Sequence, residues 1–284
     1  VPSSLSDINL FQSQCDPTGK PNEGGFAYEL VSPSFHNYAS QYSYVFIPNG
    51  KKITFNENED FEFPIGSIVA QTFSLPENTN NRKAKETLLE TRLAFKRESG
   101  WILIPYIWNE NQTDAVLSYT GSVINTSFIH EGSIREFNYK VPSPQQCRQC
   151  HSSADESVLI GMKSNQLNKV IKIDTESINQ LDYWQQKNIL KGVPEAIPDS
   201  NLVQIDESLN VDEIPEDQLS TYAKSWMLAN CQYCHTSGGQ ASITNFLITR
   251  DSEITRGVCS SPVAYYGQGG LVIEPGDSTN SAVY

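Results

Sequence analysis

Methionine and histidine are scarce in this 284-residue chain, with two of the first and four of the second. Chemistry that needs an imidazole or a thioether therefore has few residues to draw on. Positive charge is also short: Lys+Arg 20 stand against Asp+Glu 33, a net charge of −13. Such a field repels a polyanion and excludes nucleic-acid binding by phosphate neutralisation. No run approaches the roughly 18 apolar residues of a transmembrane helix. The opening Val1-Pro2-Ser3-Ser4-Leu5-Ser6 lacks the basic start and apolar stretch of a signal peptide. What is present suffices for folding. Apolar residues at 38% and charged residues at 19% exclude a disordered chain, and the length suits two or three small domains.

The six cysteines are Cys15, Cys147, Cys150, Cys231, Cys234 and Cys259. Four of them form two copies of one pattern, Cys147-Arg148-Gln149-Cys150-His151 and Cys231-Gln232-Tyr233-Cys234-His235. Each copy is C-x-x-C-H, the attachment signature of c-type haem. Cysteines three apart lie on one helical face, so both thiols reach the two vinyl groups of one porphyrin. The histidine that follows turns its imidazole under the iron as proximal ligand. A zinc ribbon places its C-x-x-C pairs about 15–20 residues apart. Here the pairs are 84 residues apart, and zinc gives no reason for both trailing histidines. A thioredoxin-like redox pair needs one C-x-x-C after a strand and does not explain a duplicate. The sequence thus predicts two covalently bound haem c groups, on Cys147, Cys150 and His151 and on Cys231, Cys234 and His235.

Covalent attachment of this kind takes place outside the cytoplasm of bacteria, so a periplasmic or extracellular location is expected, with any signal peptide removed. Cys15 and Cys259 remain as an even pair in an oxidising space, where a disulfide closing a 244-residue loop is expected. Two separate buried thiols are the alternative.

Residues 1–141 read as a mostly antiparallel β domain. Tyr42–Ile47, Lys52–Phe55, Phe61–Phe63, Ile68–Phe73, Arg92–Phe95 and Trp101–Ile104 are rich in β-branched and aromatic residues. Ala115–Tyr119, Ser122–Ile129 and Ile134–Lys140 continue the series, and Pro48-Asn49-Gly50 and Ser99-Gly100 mark hairpin turns. After Pro142-Ser143-Pro144 the pattern becomes helical, with one helix over Glu176–Leu190 capped by Asp174 and another from Pro215 into Cys231. The expected class is α+β: the β domain, then a helical cytochrome-c-like region carrying both haem units, the first over 142–214 and the second over 215–284. Between 195 and 217 eight acids occur without Lys or Arg, either a solvated loop or a docking surface for a basic redox partner.

Several segments resemble a family of secreted dihaem c-type cytochromes, known mostly as conserved hypothetical proteins. They include Phe63-Pro-Ile-Gly-Ser67, Glu90-Thr-Arg-Leu93, Gly100-Trp101, the stretch Tyr106–Ala115, and Val141-Pro142 ahead of Gln146-Cys147. Ile160-Gly161, Gln166-Leu167-Asn168, Asn230-Cys231, Gly257-Val258-Cys259 and Pro275-Gly276-Asp277 extend the resemblance along nearly the whole chain. It implies a β-rich N-terminal region, two cytochrome-c-like units and electron transfer as the role. It names no substrate.

The distal ligands decide between relay and catalysis, because an iron with two strong axial ligands exchanges electrons while an open one binds small molecules. For the first haem the candidates are His130, on a strand leading toward the motif, and Met162, 11 residues beyond His151. Met227 precedes Cys231 on its helix and reads as core; His36 reads as a loop histidine. No Met or His follows His235 in the sequence. The expected function is electron transfer by a dihaem c-type cytochrome, with no catalytic residue identified. A dihaem oxidoreductase, peroxidase- or oxygenase-like, with one open catalytic haem is the alternative.

Overall fold

The computed structural model describes residues 1–13, 16–153, 156–173, 175–197, 200, 202–205, 209–244, 246–248, 260–262 and 270–282. Its centre is a six-stranded antiparallel sheet of β1 (Gly25–Ala27), β2 (Ser40–Phe46), β4 (Ile68–Pro76), β5 (Glu86–Arg97), β6 (Gly100–Trp108) and β7 (Ala115–Leu117), neighbouring one another in that order. Strand β3 (Ile53–Thr54) stands apart and pairs in parallel with β14 (Leu190–Lys191). The Pro48–Gly50 turn therefore leads out of the sheet instead of closing a hairpin. The turn at Ser99-Gly100 does close one, with Arg97 opposite Gly100.

Side chains alternate across a strand, and both faces of this sheet are covered. One face presents Tyr44, Phe46, Leu93, Phe95, Ile104 and Tyr106 to Leu5, Leu10 and Phe11 of the N-terminal segment. The other presents Val45, Val69 and Ala94 to Tyr28, Phe61, Phe63, Leu159, Met162, Leu181 and Trp184. Each fully buried side chain of Leu or Phe size contributes about 1.5–3 kcal/mol. At one end of the sheet Phe73, Leu75 and Leu89 meet Phe128, Tyr139 and Val141. These last come from the hairpin of β8 (Ser122–His130) and β9 (Ser133–Val141). Its two-residue turn, Glu131-Gly132, has positive φ at both positions (50° and 73°), the geometry that matches strand twist.

The region beyond Val141 overturns the expected fold class. The chain is mostly β, and no helical cytochrome-c-like region is formed among the described residues. The helices there are α1 (Pro144–Cys150), α2 (Ser164–Leu167), α3 (Gln180–Gln186) and α4 (Leu219–Asn230). Short antiparallel pairs separate them: β10 (Ser152–Ser153) with β11 (Glu156–Ser157), and β12 (Val170–Ile173) with β13 (Glu176–Asn179). The helix expected over Glu176–Leu190 is thus a strand followed by two turns of helix. Ile178 pairs across the hairpin with Ile171, and the Asn179 side chain caps α3 by accepting from Leu181 N and Asp182 N. Asn188 stops the helix in the left-handed region (φ 60°), and Leu190 then joins β14. Leu159, Met162, Leu167, Leu181 and Trp184 are buried against the sheet, not in a helical bundle. The proposed cap Asp174 lies outside the described residues. Among those residues no helix is long and apolar enough to cross a membrane.

Candidate functional site

The first C-x-x-C-H motif is placed by a firmly capped helix. Ser143 Oγ accepts from Gln146 N at 3.3 Å, and Gln146 Oε1 accepts from Ser143 N at 2.8 Å. This reciprocal box, with Pro144 in the first turn, starts α1. Cys147 and Cys150 then stand one turn apart on it. His151 ends the helix, donating its backbone N–H to Cys147 O at 2.9 Å. Its ring Nδ1 lies 3.0 Å from Val158 O, and Val158 N donates to His151 O at 3.0 Å. A carbonyl only accepts, so Nδ1 carries the proton and Nε2 keeps its lone pair. Burial lowers the pKa of His151, the Val158 bond raises it, and the Arg92 charge lowers it again.

The second motif repeats the device on a different framework. Helix α4 runs to Asn230, and the motif itself is a turn: Cys234 N and His235 N both donate to Cys231 O, at 3.1 and 2.9 Å. His235 Nδ1 lies 2.7 Å from Phe246 O, and Ile248 N donates to His235 O at 2.7 Å. Nε2 is again the nitrogen with a free lone pair. Gly239 lets the chain fold back over the turn, since a Cβ there would sit 2.4 Å from Cys234 O. Cys231 packs against the small cluster of Met227, Phe246 and Ile248, so Met227 is core.

The two motifs meet. Cys150 neighbours the Cys234 thiol; burial first, then this neighbour, pushes the Cys234 pKa up to about 11. Beside the contact lies a cavity of about 1110 Å³ lined by Cys147, Cys150 and His151, by Gln232 and Tyr233 inside the second motif, and by Thr236 to Gly239 after it. That volume lies just above the usual range for small-molecule and cofactor pockets. Two anchored imidazoles, each with an open Nε2 beside a pair of thiols, fit the covalent attachment and proximal ligation of haem. Among the described residues no three His, Cys, Asp or Glu side chains are placed to hold a metal ion together.

The distal candidates fall in different places. His130 does not line the cavity: its Nδ1 is 3.0 Å from Thr79 Oγ1, and its ring lies 4.5 Å from that of Tyr38. Met162 reaches the cavity wall but is 1% exposed and packed in the core. Cys15 and Cys259, the expected disulfide, lie outside the described residues, as do Asp199, Asp206 and Glu207 of the acidic segment. Glu195, Asp212, Glu213, Glu216 and Asp217 of that segment are exposed.

Of two further residues of the site, the sequence reading set His36 aside as a loop histidine and gave Arg92 no role. His36 lines the cavity, its ring 4.6 Å from Phe73. Arg92, on β5, lines it too and covers the same phenyl ring at 4.5 Å. Arg92 Nη2 donates to Glu90 Oε1 at 2.6 Å, and Tyr139 OH donates to the same oxygen at 2.7 Å. Glu90 is wholly buried, whereas Arg92 keeps 29% of its side-chain surface accessible. Glu90 Oε2 and Arg92 Nε are buried without a hydrogen-bond partner. The signal for this pair was two opposite charges two apart in Glu90-Thr91-Arg92, which share one face of a strand running through Leu93-Ala94-Phe95. No family model, curated protein or solved structure matches the chain.

Proposed function

We propose that the chain is a dihaem c-type cytochrome that relays electrons one at a time outside the cytoplasm. The observation that carries the reading is the duplicated C-x-x-C-H in which each histidine is tied through Nδ1 to a backbone carbonyl. Such outer bonds fix tautomer and ring orientation and raise the basicity of the ligating nitrogen. Bound haem would supply one reversible one-electron change at each iron. The residues of the chain do the rest. Cys147 and Cys150, and Cys231 and Cys234, hold the two groups; His151 and His235 offer Nε2. Burial lowers the pKa of His151, which favours the neutral form that donates a lone pair. The Cys150–Cys234 contact brings the two attachment points together, which shortens the path between centres. The exposed acids and the charge of −13 suit a partner with a basic docking surface, on which opposite charge raises the encounter rate.

Spectroelectrochemical titration of the protein purified from the bacterial periplasm tests this. A chromophore that stays with the polypeptide through acid-acetone extraction and is reduced and reoxidised in one-electron steps is the expected result. A colourless chain, or a pigment that extracts freely, contradicts it.

A further inference from the structure

We infer that His36 is the distal axial ligand of the iron held by His151. The inference rests on the dihaem reading and adds to it a metal ligand that the sequence had placed elsewhere. His36 lines the same cavity as Cys147, Cys150 and His151, which His130 does not. Its Nε2 is 2.9 Å from Ser34 Oγ, while Nδ1 has no hydrogen-bond partner among the described residues. A serine hydroxyl can donate or accept, and in the tautomer whose Nε2–H donates to Ser34 Oγ the lone pair is on Nδ1. This is the arrangement of His151 and His235 with the nitrogens exchanged: one nitrogen anchored, the other free to ligate.

The backbone around His36 is fixed in a way its own sequence does not favour. Asn37 and Tyr38 both lie in the left-handed region, at φ 51° and 65°. Two consecutive non-glycine residues there, one of them bulky, store local strain of the kind that surrounding structure must hold in place. The surroundings do so from both haem segments. Gln166 accepts from Val31 N and Ser32 N, at 2.8 and 2.9 Å, and its Nε2 donates to Ser32 O at 3.0 Å. Asn230, the residue before Cys231, accepts from Phe35 N at 2.7 Å. The ring rests on Phe73, which Arg92 also covers. Met162, the other candidate at this wall, is packed among Leu167, Leu181 and Trp184 and would leave a hole if it turned to the iron.

The test uses haem-loaded protein and reads haem number by intact mass alongside spin state by absorption and electron paramagnetic resonance. His36→Ala is expected to keep both haems by mass and to convert one of the two from low-spin to high-spin. Added imidazole is expected to restore the low-spin form, and His130→Ala to leave both spectra unchanged. Repeating His36→Ala in protein lacking the second attachment, Cys231→Ala with Cys234→Ala, should convert the remaining haem. His36→Met, which keeps a side chain able to ligate, should raise the potential of the first haem only, since Met/His ligation raises potentials. Two haems by mass with no change of spin state, or a change confined to the haem on Cys231 and Cys234, overturns the assignment while leaving the dihaem reading intact. A chain with no haem by mass overturns both.

Discussion

The Cys150 and Cys234 side chains, 84 residues apart in the chain, are near neighbours where the two motifs meet. Helix α1 carries one and the turn after α4 the other, and neither helix contacts its partner through a large apolar face. This approach of the two motifs can be tested without any cofactor. In protein expressed without haem maturation, mild oxidation is expected to link Cys150 to Cys234, recovered as one peptide pair on non-reducing mapping. Linkage only within each C-x-x-C would show that the motifs do not meet.

Unequal haems follow from unequal surroundings. Cys147, Cys150 and His151 line the cavity that His36 and Met162 also line, whereas Cys231 packs against Met227, Phe246 and Ile248. Carbon monoxide or cyanide is therefore expected to bind the second haem in preference, and reduction to proceed in two separate steps. Equal binding at both, or one doubled step, would remove the distinction.

The Glu90–Arg92 pair makes a stability prediction with a clear sign. Arg92→Met leaves the Glu90 carboxylate buried with Tyr139 as its remaining donor, and breaking a buried pair from one side costs about 3–5 kcal/mol. Replacing both, Glu90→Gln with Arg92→Met, should recover much of the loss, because no uncompensated charge remains. Urea unfolding of the parent protein, the single variants Glu90→Gln and Arg92→Met, and the double variant measures this as a double-mutant cycle. Additive losses would mean that the two side chains do not act as a unit.

Cys15 and Cys259 are expected to be joined. Mapping without reduction should recover their peptides together, and removing the bond should cost about 2–5 kcal/mol. Alkylatable thiols at both positions in freshly purified protein would refute the pairing.

The antiparallel sheet was legible because alternation and aromatic content mark strands whichever partner covers them, as at Tyr42–Ile47 and Ile68–Phe73. The helical region was not. Ile178, Leu181, Trp184 and Leu190 keep helical spacing, yet Ile178 finds a cross-strand partner in Ile171 and Leu190 one in Ile53. Periodicity over so short a window does not reveal which surface will bury the residues, and here it is the sheet. In the site, the C-x-x-C-H residues carry their chemistry in their spacing. His36 and Arg92 do not: they reach the cavity only because Phe73 brings a loop and a central strand to the same ring. That relationship is tertiary. His130 shows the converse, since its chain position near the first motif suggested a ligand while its ring lies against Tyr38.

The most direct test of the account is the intact mass of the natively matured protein under denaturing conditions. Two covalent haems are predicted, falling to one when Cys147 and Cys150 are both replaced by alanine, and to one when Cys231 and Cys234 are. A mass equal to the polypeptide alone, with or without bound zinc, would contradict the reading of both motifs.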